Sequence, residues 1–79
     1  MIYCVEDDKN IRDLVIYTLE STGMKAEGFG DGKAFKEALK EKKPTLILMD
    51  IMLPGEDGLS LLKELKTSAA TKEIPVIMV

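Results

Sequence analysis

Two short apolar runs in this chain end in acids. Ile2-Tyr3-Cys4-Val5 leads into Glu6-Asp7-Asp8, and Leu46-Ile47-Leu48-Met49 leads into Asp50. In open parallel sheets, ligand sites form beyond the carboxyl ends of strands, where the strand order reverses. If the two runs are neighbouring strands, Glu6, Asp7 and Asp50 converge at one rim. Two carboxylates about 5 Å apart, at an effective dielectric near 20, repel by roughly 3 kcal/mol. Three of them stay ionised only if a cation fills the gap; otherwise one takes up a proton. A hard divalent ion with oxygen ligands suits such a gap. Magnesium fits best, because it takes few protein ligands and keeps several waters. Asp50 would then be a carboxylate nucleophile facing a phosphoryl group, with an aspartyl phosphate as the product.

The rest of the composition narrows the chemistry further. The chain has no histidine, which removes histidine acid–base chemistry, nucleophilic triads and most zinc sites. The single cysteine, Cys4, cannot form an internal disulfide and sits in an apolar run, as a small core residue does. A net charge of −3 and a pI near 4.9 leave no electrostatic footprint for direct nucleic-acid binding. No apolar run approaches the roughly 20 residues that span a bilayer. Met1 enters an apolar segment with no positive n-region and no cleavage site, so no signal peptide is expected. Together these features predict a cytoplasmic chain. With 46% hydrophobic and 32% charged residues over 79 positions, the chain can form at most one small globular domain.

The elements that must position the acids follow from periodicity. Ile2–Val5 reads as a buried strand. A helix over about Lys9 to Ser21 would bury Ile11, Leu14, Val15 and Leu19 on one face, with Gly23 closing it. Asp8, or Asp7 beside it, reads equally well as the N-cap of that helix. Lys25–Phe29 is a weaker strand with Ala26 alone marking an inward face, and its low apolar content predicts an edge position. Asp31 is a candidate N-cap for a helix that presents Ala34, Phe35, Ala38 and Leu39, with Pro44 closing the segment. Leu46–Met49 reads as a central parallel strand, and 51–57, containing Pro54-Gly55, as a loop. A helix from Gly58 to about Thr67, with Asp57 as N-cap, would bury Leu61, Leu62 and Leu65. Ile74–Val79 opens a last strand. Strands and helices alternate, which predicts an α/β fold with a parallel sheet and helices on both faces.

Val5-Glu6-Asp7-Asp8-Lys9-Asn10-Ile11-Arg12, then Leu48 through Gly58 (LMDIMLPGEDG), then Ile74-Pro75-Val76-Ile77-Met78 resemble bacterial two-component response-regulator receiver domains, of the CheY-like kind. The central segment is highly specific and the spacing of all three agrees throughout. The resemblance implies a flavodoxin-like, doubly wound sheet of strand order 2-1-3-4 within residues 1–79, and a phosphoryl-accepting Asp50. It implies a Mg2+ ion held by Asp7, Asp50 and the backbone carbonyl of Met52, with Glu6 acting through water. Pro54-Gly55 would shape the loop carrying Met52, and Gly58 would let the third helix start close to the site. The donor would be a phosphohistidine on a sensor histidine kinase or phosphotransfer protein.

A complete receiver has roughly 120 residues, so residues 1–79 are expected to form a partial receiver, truncated before the fourth helix and fifth strand. By the resemblance, the hydroxyl residue that senses the phosphoryl group would come just after Val79 and the lysine that pairs with it at the end of the fifth strand; Lys72 lies in the loop before the last strand and does not match that position. An apolar last strand at a sheet edge, and a sheet face covered by one helix alone, predict self-association. Two alternatives stand beside the phosphoacceptor switch. One is a phosphorylation-incompetent fragment acting only as a structural or interaction module. The other is an aspartyl-phosphate phosphatase of a different α/β fold, which would need a second acid two residues after the nucleophile; Met52 stands there.

Overall fold

The computed structural model describes residues 1–53 and 55–79. In chain order it consists of β1 (Ile2–Val5), α1 (Lys9–Ser21), β2 (Ala26–Phe29), α2 (Gly32–Glu41), β3 (Leu46–Met49), β4 (Met52–Leu53), β5 (Glu56–Asp57), α3 (Gly58–Thr67) and β6 (Val76–Met78). β2, β1, β3 and β6 form one sheet in that order, with every neighbour parallel. This is the doubly wound 2-1-3-4 arrangement expected, with β6 as its fourth strand. All four residues of β1 are buried, because β1 has a strand on each side and helices over both faces.

The elements begin and end where local chemistry dictates. Asp8 caps α1, its Oδ1 accepting from the amides of Asn10 at 2.9 Å and Ile11 at 3.1 Å. Gly23, at φ 91°, closes the same helix. Its amide donates to the Glu20 carbonyl and that of Met24 to Leu19, the paired bonds of a Schellman motif. Asp31 and Asp57 cap α2 and α3 through the amides of Ala34 and Leu59. Each such cap contributes about 1 kcal/mol.

The core lies between the sheet and the face shared by α2 and α3. Tyr3, Val5, Ile47 and Met49 point into it from the sheet, and Phe35, Leu39, Leu61 and Leu65 close it from the helices. Tyr3 meets Phe29 edge to face at 4.9 Å, and its hydroxyl donates to the Lys42 carbonyl at 2.8 Å. Phe29 therefore turns into this core from β2, on the sheet face opposite to that of Ala26, whereas the sequence expectation has Ala26 alone marking an inward face. Ala34 is exposed and Leu62 only half-buried, because Phe35, Leu39, Leu61 and Leu65 already fill the seam between the helices and the sheet.

The opposite face departs more from expectation. α1 buries none of its residues, and Ile11 and Leu14 are 50% and 64% exposed. Val15 and Leu19 are half-buried. α1 rests on β1 and β2, and among the described residues no helix stands beside it over β3 and β6. The outer half of its apolar stripe therefore meets solvent. Cys4, Leu48, Ile11, Val15 and Val79 line a cavity of about 180 Å³ along that uncovered side. Burial pushes the Cys4 thiol up from its ordinary pKa, consistent with an inert core residue.

A second difference lies after β3. Instead of a plain loop over 51–57, β4 and β5 pair antiparallel, Met52 opposite Asp57 and Leu53 opposite Glu56. Gly55 supplies the positive φ, 70°, that a tight hairpin requires. The expectation that Pro54 shapes this segment falls on a residue outside the described ones.

Candidate functional site

β1 and β3 are adjacent and in register, with Val5 opposite Met49. The first residues beyond each strand, Glu6 and Asp50, therefore emerge side by side. The Asp50 amide donates to the Val5 carbonyl at 2.9 Å and the Glu6 amide to the Phe29 carbonyl at 3.0 Å, so the ladder holds both backbones at the rim. One carboxylate oxygen from each of Glu6, Asp7 and Asp50 lies within 4.8 Å of the others. Glu6 and Asp50 are half-buried and Asp7 is exposed. The convergence expected from the two acid-ended runs is present.

Each acid is held differently. Glu6 Oε2 accepts from the Asp8 amide at 3.1 Å, while Asp8 itself turns away to cap α1. Asp50 Oδ1 accepts from the Met52 amide at 3.2 Å. Burial raises the Glu6 pKa; the Asp8 amide opposes this, and the carboxyls of Asp7 and Asp50 add to it. Among the described residues no lysine or arginine pairs with any of the three acids. Three oxygen donors crowded together without a cationic partner are a fitting donor set for a hard divalent ion. Met52 is 81% exposed, and its contact with the cluster is the backbone amide on Asp50 Oδ1.

Two close approaches build this rim. A Cβ on Gly58 would overlap the Asp50 carbonyl oxygen and come within 2.6 Å of that of Ile51. Only glycine lets α3 begin this near the acid, as the sequence predicted. The Gly58 amide donates to the Ile51 carbonyl at 2.8 Å. Arg12, which sequence reasoning did not single out, crosses from α1 and donates through Nη1 to the Glu6 carbonyl at 2.7 Å. Gly28 makes room for it, since a Cβ there would lie 2.9 Å from the Arg12 stem. A glycine inside a strand is a signal of close approach, but sequence does not say what approaches.

The chain matches the response regulator receiver domain over residues 2–79. It belongs to the response regulator receiver family. This receiver is 43% identical to the phosphate regulon transcriptional regulatory protein PhoB of Klebsiella pneumoniae over 98% of its own length and 34% of that protein. It superposes with a TM-score of 0.92 and 38% identity on the N-terminal domain of a response regulator receiver protein from Methanoculleus marisnigri JR1, covering 98% of this chain and 63% of that one. The receiver domain of a signal transduction histidine kinase from Syntrophus aciditrophicus gives a TM-score of 0.94 at 32% identity, over 99% of this chain and 59% of that one. The receiver thus spans about a third of the curated relative's length and less than two thirds of these solved chains.

Membership places the receiver in two-component signalling, whose receivers are phosphorylated by histidine kinases and act as phosphoacceptor switches rather than enzymes. It also removes the phosphatase alternative. Receivers of the family typically bind Mg2+, and an acidic cluster is present here. No helix among the described residues is long and apolar enough to cross a membrane.

Proposed function

We propose that the receiver is cytoplasmic and takes a phosphoryl group onto Asp50 from a phosphohistidine of a sensor histidine kinase or phosphotransfer protein. Asp7, Asp50 and the Met52 carbonyl would hold Mg2+, with Glu6 contributing through water. The convergence of Glu6, Asp7 and Asp50 within 4.8 Å beyond β1 and β3 carries this reading. When bound, the ion supplies positive charge to offset the acids and the incoming phosphoryl oxygens.

The rest of the chemistry belongs to the chain's own residues. An Asp50 carboxylate oxygen attacks phosphorus while the bond from phosphorus to the donor imidazole nitrogen breaks. The electron pair stays on that nitrogen, which takes a proton from water, and an acyl phosphate remains on Asp50. The Met52 amide, bonded to Asp50 Oδ1, orients the nucleophile. Arg12 fixes the backbone that presents Glu6 and Asp7. In this reading residues 1–79 act as a partial receiver. The test is a small phosphoramidate donor with Mg2+, read by intact mass: one base-labile phosphoryl group is gained, and Asp50→Asn abolishes the gain. A longer version carrying the intact receiver that takes up no phosphoryl group removes the proposal.

A second reading, a structural or interaction module without phosphoryl uptake, draws on the open apolar edge. Among the described residues β6 pairs on one side only, and Ile77 and Val79 are exposed. Such an edge supports self-association by strand pairing. A folded chain that shows no heat of magnesium binding in calorimetric titration favours this module over the switch.

A further inference from the structure

The β4–β5 hairpin starts two residues after Asp50 and has two residues per strand. A ladder that short does not support itself in water, yet its first residue, Met52, bonds the Asp50 carboxylate through its amide. Leu53 anchors one side by entering the core. The other side is held by α2, against which the Glu56 side chain of β5 packs. A Cβ on Gly32 would overlap Glu56 Oε2 and come within 3.0 Å of its carboxyl carbon. Glu56 Oε1 accepts from Lys36 Nζ at 2.7 Å, and Glu64 of α3 shares that ammonium at 3.2 Å. Glu56 stands opposite Leu53, and Asp57 opposite Met52. Restraint at Glu56 is therefore passed across the ladder to the segment beside Asp50.

We infer that Lys36 is a positioning residue for the phosphoacceptor site, clamping Glu56 into the socket left by Gly32 and so fixing the Met52 backbone against Asp50. Glu56 and Glu64 hold the Lys36 ammonium above its ordinary pKa, as a clamped cation should be. The inference rests on the reading that Met52 helps hold Mg2+.

Its signature is a sign that charge alone cannot produce. Lys36 is a cation, and removing it should tighten Mg2+ binding if it acts only through its field. If it acts by position, removal weakens binding. Titration of this chain with MgCl2 at low salt, followed by calorimetry, reads the difference. Lys36→Gln should weaken binding roughly two- to fivefold, the range that partly exposed ion pairs reach, and Lys36→Arg should restore it. Gly32→Ala changes no charge and favours helix, yet it evicts Glu56 and should weaken binding without lowering the melting temperature. Tighter or unchanged binding in Lys36→Gln, with the original chain binding normally, overturns the positioning role and leaves the metal reading in place. If Lys36→Gln does not fold, unchanged affinity in Gly32→Ala overturns the role by itself. No binding by the original chain overturns both.

Discussion

At the scale of single residues, the rim is a conflict between charge and packing. Glu6, Asp7 and Asp50 are brought together by strand register rather than by mutual attraction, so without a cation they oppose folding. Asp50→Asn keeps the acceptor for the Met52 amide and removes one charge. It should raise metal-free stability by about 1 kcal/mol, a fraction of the unscreened repulsion because the site is open to water and salt. With Mg2+ bound as proposed, the same variant should lose most of the stabilisation the ion would give the original chain, which at ten times the dissociation constant is about 1.4 kcal/mol. Urea denaturation with and without the ion checks both, and equal metal-free stability would show that the acids do not repel measurably.

Tyr3 gives a second residue-scale test. Burial, then the charges of Glu27 and Glu41, raise its pKa. The folded chain thus keeps the phenol proton where the unfolded chain has lost it. The stability Tyr3 contributes is present below the unfolded value near 10 and falls as pH rises through the folded one. Tyr3→Phe should cost about 1 kcal/mol at pH 7 by orphaning the Lys42 carbonyl, and should flatten the loss of stability above pH 10.

At the scale of elements, α3 is placed by contact rather than by propensity. Asp57 caps it and Leu61 and Leu65 bury it, but its start depends on Gly58 fitting under the Asp50 and Ile51 carbonyls. In most helix positions alanine would stabilise. Here Gly58→Ala should destabilise by about 2 kcal/mol, since backbone atoms must shift, and should also disturb the site. Thermal melts set against Gly32→Ala, where only a side chain must move, separate the two causes. The element boundaries were legible from capping acids and glycines: Asp8, Asp31, Asp57 and Gly23 all do what their types predicted. The hairpin was not legible, because Met52-Leu53 and Glu56-Asp57 show no alternation long enough to read as strands. The clamp was not legible either, since Lys36 and Glu56 are twenty residues apart and each alone is an ordinary surface charge.

At the scale of the molecule, the two sheet faces differ. One carries α2, α3 and the aromatic core, and among the described residues the other carries α1 alone, with Ile11, Leu14 and Tyr17 exposed. With β6 open along one edge, self-association should grow with concentration in sedimentation velocity. Ile77→Lys places a charge on that edge and should reduce it; a monomer at all concentrations would remove the pairing reading.

The sequence by itself determined the order of elements, the strands that end in acid and the family those motifs mark, because periodicity, caps and short motifs are local properties. Which strands became neighbours, and hence that carboxylates more than forty residues apart share one space, was decided by tertiary pairing. So were the exposure of α1, the reach of Arg12 to the Glu6 carbonyl and that of Lys36 to Glu56. Burial and long side-chain contacts depend on what stands opposite, and that is settled only when the sheet and its covering layers assemble.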